Sequence, residues 1–295
     1  MRGWECTEDG VTAHFGTGAK AKTAAVCHGR LLIGADGIHS TVRQTLYPNE
    51  GAPIWNGAIL WRGVSHGPEF LTGRSMIMAG HEFQKFVCYP IEPNGAEHDG
   101  ALINWVAEKK YPTDGDWRRE DWNRAGDLSE FLPAFESWEF PWLSVATLIK
   151  AATQVFEYPM VDRDPLPSWS FGSVTLLGDA AHPMYPIGSN GASQAILDAR
   201  VLTRELLKDG ATPDALLAYE AQRREATARI VLANRGNGPE QVMQLVEERA
   251  PDGFKHVEDI LSAQELGATA ARYKRLAGFD KDALNNRLSI VPVRS

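Results

Sequence analysis

The sequence predicts an α/β chain in which a parallel-sheet domain is interrupted by a second, mixed-sheet domain and followed by C-terminal helices. Three observations predict it. At 295 residues the chain exceeds what one hydrophobic core comfortably serves, so two domains, or one domain with a large insertion, are expected. From about Pro48 to Met160 the texture is of short Trp-rich strands separated by Gly, Pro and Asn turns. At Val174 to Leu177 a continuous apolar run returns, as in a strand buried on both faces, and long helical patterns follow it.

Taken in order, Val11, Ala13 and Phe15 alternate with polar residues after the turn pair Asp9-Gly10, and Gly16-Thr17-Gly18 turns the chain into Ala24 to Cys27, which is a hairpin pattern. Arg30 to Ile33 is a short apolar run ending in Gly34-Ala35-Asp36-Gly37, and Ser40 can cap a short helix through Leu46. In the middle region the strands expected are Ile59 to Val64, Phe86 to Ile91 and Ala101 to Val106, with helices around Leu128 to Trp138 and Leu143 to Ala151. After Val174 to Leu177, a helix runs from about Asn190 to Lys208 and stops near Gly210. Thr212-Pro213 caps and starts another that reaches about Asn234. Amphipathic helices over Glu240 to Arg249 and Val257 to Leu276 complete the chain. The boundaries that follow are 1–47 and 159–235 for the interrupted domain, 48–158 for the insertion and 236–295 for a helical tail.

A net charge of -8 argues against a nucleic-acid partner, since binding a phosphate backbone needs clustered Lys and Arg. No signal peptide and no run of about 18 apolar residues is present, so a cytoplasmic protein without a membrane partner is expected. Cys6, Cys27 and Cys88 are widely spaced, which fits reduced thiols. The eight histidines lack metal-ligand spacing, so no metal is expected. A hydrolase is excluded by the lack of a G-x-S-x-G elbow.

The segment from Val174 to Ala199 carries the chemistry. A strand delivers Gly178-Asp179, a Pro-rich loop follows, and Gly188-Ser189-Asn190-Gly191 opens a helix. A carboxylate at a strand end can accept from sugar-like hydroxyls, and unpaired amides at a helix start favour negative charge. His182 has the type of a general base, but packing beside the strand end with a backbone bond is the expectation for it. Asp162 and Arg163 are expected to pair with each other, and Arg223-Arg224 with Glu225 to form a salt-bridged surface face.

Residues 178–199, GDAAHPMYPIGSNGASQAILDA, resemble the second flavin-binding motif of the single-component aromatic hydroxylases, the family of para-hydroxybenzoate and salicylate hydroxylases. Residues 34–43, GADGIHSTVR, resemble that family's other internal motif. Trp61-Arg62-Gly63, Tyr89-Pro90-Ile91, Asn104-Trp105-Val106 and the run from Tyr158 to Pro167 are similar to the phenazine-carboxylate hydroxylase branch, and the likeness extends from about Arg30 to Asn234.

The resemblance implies an FAD-binding, Rossmann-like domain and a monooxygenase. NADH or NADPH would reduce the flavin, dioxygen would add at C4a, and the hydroperoxide would attack an aromatic ring, phenazine-like or carboxylated. It also implies roles by motif position. Asp179, after Gly178, would bond the ribityl or ribose part of FAD. Gly188, Asn190, Gly191 and Ala192 would supply amides around the pyrimidine edge, and Pro183 and Pro186 would wall the ring. Asp36 and Arg43 would orient the cofactor and support the nicotinamide donor. Arg62, Tyr89, Trp105, Pro183, Met184 and Tyr185 are the candidates to touch the substrate, with the Arg62 fork suited to a carboxylate. No catalytic residue is assigned, and a homodimer is compatible with the family. Salicylate- or hydroxynicotinate-type hydroxylation is the alternative activity, and a cofactor-free remnant the alternative of another class.

Gly16-Thr17-Gly18-Ala19-Lys20-Ala21 matches the letters of a dinucleotide fingerprint, yet an alternating strand precedes it and no long amphipathic helix follows. The expectation is therefore a chain that is N-terminally truncated, without the ADP-binding βαβ unit that opens the family, and that by itself binds FAD weakly.

Overall fold

Alternation and tight turns build the first strands. β1 (Gly3–Thr7), β2 (Gly10–Phe15) and β3 (Ala25–Gly29) form an antiparallel sheet in that order. Val11 and Ala13 of β2 are buried, as the alternation predicts. The computed structural model describes residues 1–16, 25–92, 100–112, 123–278, 281–286 and 288–291. The fingerprint-like letters after Gly16 lie outside these residues. The strands on either side are antiparallel neighbours, Phe15 opposite Ala25, which is hairpin geometry and not a strand-helix-strand unit. β4 (Leu32–Gly34) then leads to α1 (Thr41–Leu46), where Ser40 Oγ accepts from the Arg43 amide at 2.9 Å.

The described chain divides into two units, one of Met1–Ile54, Val161–Gln241 and Ser262–Ser295, the other of Trp55–Met160 and Val242–Leu261. The second is built on β5 (Ile54–Gly67), β6 (Ile77–His81), β7 (Gln84–Glu92), β8 (Ala101–Lys110) and β11 (Val155–Asp162). They form one sheet in the order β11-β5-β8-β7-β6. α2 (Leu128–Phe135), the two-residue strands β9 (Glu139–Phe140) and β10 (Leu143–Ser144), and α3 (Val145–Lys150) lie between β8 and β11 in sequence. One face of the sheet packs Trp61, Phe86, Ile103 and Trp105 against Phe131 and Phe135 of α2 and Leu148 and Ile149 of α3. Trp61 stacks on Phe131 with centroids 4.7 Å apart. Trp105 lies so close to β5 that a Cβ on Gly63 would sit 2.3 Å from its ring, which is why that strand position is glycine.

In the first unit, β12 (Ser170–Phe171) pairs antiparallel with β13 (Val174–Leu176), and β13 pairs parallel with β4, Thr175 opposite Ile33. A 3-10 turn over Gly178–Ala180 follows, then α4 (Gly191–Asp209) and α5 (Pro213–Arg235). Thr212 caps α5 and Pro213 occupies its first turn. Val42, Leu176, Leu202, Leu216, Tyr219 and Trp169 form the apolar cluster of this unit.

α6 (Gln241–Arg249), α7 (Ala263–Leu276) and α8 (Lys281–Asn286) follow. The helix expected over Val257 to Leu276 is broken. A 3-10 turn covers Val257–Asp259, and α7 starts afresh behind Ser262, whose side chain and that of Glu265 form a reciprocal capping box. Among the described residues no helix is long and apolar enough to cross a membrane.

Candidate functional site

The strand-turn-helix from β13 to α4 is braced from beneath by one carboxylate. Asp198 is fully buried on α4. Its Oδ2 accepts from the Gly178 amide at 3.1 Å and from His182 Nε2 at 2.5 Å, and its Oδ1 accepts from Arg223 Nε of α5 at 2.7 Å. Arg223 also donates to Gln194 Oε1 at 2.7 Å. Burial acts to raise the Asp198 pKa, but the hydrogen bond and charge of His182, joined by Arg223, outweigh it and hold the carboxyl below its ordinary value. Two expectations are corrected here. His182 bonds to a side chain rather than to backbone, and Arg223 is a buried strut, while Arg224 keeps the surface pairing with Glu220 at 3.3 Å. Asp198 and Arg223 lie 25 positions apart, so no local pattern announces their pairing.

Above this brace sits Asp179. Its carboxylate accepts no hydrogen bond from the described residues and the residue is open to solvent, while desolvation by nearby protein raises its pKa against the opposing charge of His182. Pro183 and Tyr185 are buried, Met184 is half-buried and Pro186 exposed. The Tyr185 hydroxyl donates to the Ile54 carbonyl at 3.3 Å, and its pKa is raised by burial and by Asp162, so this side chain is anchored within the protein. Gly188 lies at φ +76°, in the left-handed region, and Ser189 at φ +51°. Asn190 is the N-cap of α4, yet its side chain makes no capping bond and no acidic residue occupies the first turn. Asn190 Oδ1 is buried without a partner among the described residues. The first amides of this 19-residue helix, at Gly191 and the exposed Ala192, therefore keep the positive end of the helix dipole without a capping side chain or an acidic residue in the first turn.

The 34–43 motif serves this turn indirectly. Asp36 accepts from Ser40 Oγ at 2.5 Å and from the Thr41 amide at 2.7 Å, closing the entry to α1. Buried Arg43 donates Nε and Nη2 to Glu50, Nη1 to the carbonyls of Ala180 and Ala181 at 3.2 and 2.9 Å, and Nη2 to the Asp164 carbonyl at 2.9 Å. All five of its N–H groups are thus engaged inside the chain, and it acts on the Gly178–Ala180 turn by gripping the carbonyls at its end. The expected Asp162–Arg163 pair does not form. Asp162 takes a bidentate bond from Arg235 at 2.7 and 3.0 Å, and Arg163 reaches Glu50 at 3.2 Å.

In the second unit, strand alternation sorts the substrate candidates. Arg62 on β5 and Tyr89 on β7 share a face, and Asn104 on β8 lies directly opposite Tyr89 and diagonal to Arg62. Lys85 and Glu108 pair on that face at 3.0 Å. Trp105, one residue on, points the other way. It is fully buried in the apolar core, with its Nε1 donating to Ser65 Oγ at 2.9 Å, so its expected place beside Arg62 and Tyr89 is corrected. Asn104 is the residue that the sequence reading passed over. It is 8% exposed and its Nδ2 has no partner among the described residues.

The chain resembles known proteins over most of its length. Residues 153–234 match a family model described as an FAD binding domain. Over 236 residues, 80% of the chain, the sequence is 44% identical to phenazine 1,6-dicarboxylic acid hydroxylase of Lysobacter antibioticus, and it spans 58% of that protein's length. It is 30% identical to 6-hydroxynicotinate 3-monooxygenase of Bordetella bronchiseptica, covering 78% of this chain and 57% of that protein. A salicylate hydroxylase in complex with substrate has the same fold, with a TM-score of 0.65 at 24% identity over 94% of this chain and 69% of the other. Klebsiella pneumoniae HpxO with FAD and uric acid gives 0.63 at 22% identity, over 97% and 64%.

Proposed function

The chain is a relative of the FAD-dependent aromatic-ring monooxygenases, and from that kinship we propose that it carries the flavin-ring and substrate side of an NADH- or NADPH-driven hydroxylase acting on a carboxylated aromatic ring. The observation that carries the proposal is the turn from Gly178 to Ala192, which offers what a flavin and its ribityl chain require. Among the described residues Asp179 accepts from no donor and Asn190 Oδ1 is a buried acceptor without a partner, and the first turn of α4 carries no acidic residue. Such a start to α4 suits the negative charge of a reduced flavin ring.

Bound there, FAD would supply electron transfer from the nicotinamide and the activation of dioxygen. The chain's own residues do the rest. Asp179 accepts from the ribityl or ribose hydroxyls, and the amides of Gly188 to Ala192 with Asn190 hold the pyrimidine edge. Pro186 borders the ring, while Asp36 and Arg43 set the turn through α1 and the Ala180 and Ala181 carbonyls. On the other unit, Arg62 binds the substrate carboxylate, and Tyr89 with Asn104 addresses a second oxygen or nitrogen on the ring. The three cysteines are free thiols, which accords with a cytoplasmic enzyme supplied with NADH or NADPH.

Titration of the purified chain with FMN and with FAD tests the cofactor half. A shifted flavin visible spectrum and quenched fluorescence are expected, and unchanged flavin spectra at millimolar concentration would remove the proposal. NADH and NADPH oxidation across tricyclic and monocyclic aromatic acids tests the other half. Arg62→Met is expected to raise KM for the preferred acid roughly tenfold or more, the worth of a charge-assisted bond, with little effect on kcat.

A further inference from the structure

The turn that precedes α4 is held from outside the 153–234 family match, by a tyrosine on a helix of the C-terminal segment. Tyr273 of α7 is 8% exposed. Its hydroxyl accepts from Asn190 Nδ2 at 2.6 Å and donates to Asn234 Oδ1 of α5 at 2.9 Å. Asn234 Nδ2 in turn donates to the Tyr185 carbonyl at 3.0 Å, at the other end of the loop. One turn further along α4, Gln194 Nε2 donates to the Ala277 carbonyl just past the end of α7, at 3.2 Å. The fit is also steric. A Cβ on Gly188 would stand 2.2 Å from the Tyr273 hydroxyl, so the glycine at this position makes room for Tyr273.

The contacts of Tyr273 with Asn190 and Gly188 fall on the segment that presents amides to the flavin, and those at Tyr185 and Gln194 flank it on either side. Binding Nδ2 to Tyr273 fixes the Asn190 amide so that Oδ1, the orphaned acceptor, points one way. We propose that Tyr273 is a positioning residue for the flavin turn, holding Gly188 and Asn190 in the one geometry that presents Asn190 Oδ1 and the first α4 amides to the pyrimidine edge. This rests on that turn being the flavin site. A loop that binds through backbone amides pays an ordering cost on each binding event unless something has ordered it beforehand. Tyr273 removes that cost, and it does so from α7, a helix fixed at its own start by the Ser262–Glu265 capping box.

The test is Tyr273→Phe in the full chain, which keeps the ring and its packing and removes only the hydroxyl. Lys274→Ala, an exposed neighbour on α7, is the control. Hydrogen exchange without flavin is expected to quicken at the 188–192 amides in Tyr273→Phe and to stay at the wild-type rate in the control. FMN and FAD affinity is expected to fall roughly five- to tenfold, the equivalent of one lost buried hydrogen bond, with the melting temperature within a few degrees of wild type. An Asn190→Ala partner variant is expected to show no further loss when Tyr273→Phe is added, because both remove one interaction. Faster exchange with unchanged flavin affinity and spectrum would leave Tyr273 a structural residue only and overturn the proposal. Unchanged exchange would overturn it too. A wild-type chain that perturbs neither flavin spectrum would instead remove the flavin assignment, and this inference with it.

Discussion

Asp198 joins four groups in the brace under the turn. It takes the Gly178 amide, His182 and Arg223 directly, and Gln194 completes the set through Arg223. Asp198→Asn would leave Arg223 without its counter-charge inside the protein, so a loss of about 3–5 kcal/mol is expected in urea denaturation at pH 7. The pH dependence has a definite sign. With a folded pKa below the ordinary 3.8, the carboxylate contributes stability that is complete above the unfolded value and is lost as pH falls through the folded one. The wild-type-minus-variant difference should therefore be flat from pH 5 to 7 and shrink below about pH 4; a difference that grew toward acid would refute it. Little of this network could be read from sequence, because hydrogen bonds between residues 16 to 29 positions apart follow from how α4 and α5 meet rather than from local pattern.

At the scale of elements, what the sequence revealed was whatever local chemistry decides. The β13 strand, the α4 start after the glycine pair and the Thr212-Pro213 entry of α5 were all marked by caps or by an unbroken apolar run. Strand faces were less legible. Asn104 and Trp105 are adjacent letters on opposite sides of β8, and only the register with β5 and β7 tells which side carries Arg62 and Tyr89. The strands β6 and β11 went unread, since β6 is short and glycine-bearing and β11 contains Pro159. The break before α7 was legible in principle, as S-x-x-E at Ser262 to Glu265. Ser262→Ala should cost about 1 kcal/mol and raise amide exchange in the first turn of α7, detectable by peptide-level hydrogen exchange. Exchange confined to the α6 side of Ser262 would contradict this.

At the scale of the whole molecule, each unit owns an apolar cluster. Trp61, Trp105, Phe131 and Phe135 fill one, and Trp169, Leu176, Leu216 and Tyr219 the other. Trp105→Ala is expected to cost about 3–5 kcal/mol, as for other large aromatic deletions in a core. Exchange should rise in β7 and β8 and stay unchanged in β13, and equal loosening of β13 would show that the clusters open together. The change of texture made a second domain over 48–158 an expectation legible in the letters. The allocation of 242–261 to the second unit was not legible there, since amphipathic helices state that they need a partner surface but not which one.

Cys88 sits in the Trp61–Trp105 cluster of the second unit, opposite Trp105 across the ladder, and burial pushes its thiol up to about 12. Cys6 and Cys27 are exposed on β1 and β3 of the first unit. The chain thus carries a built-in chemical clock: at neutral pH two thiols take an alkylating reagent at once, and the third takes it only when the β7–β8 ladder parts. The rate of the third label times the opening of the core face of the sheet whose opposite face bears Arg62, Tyr89 and Asn104, without any engineered probe.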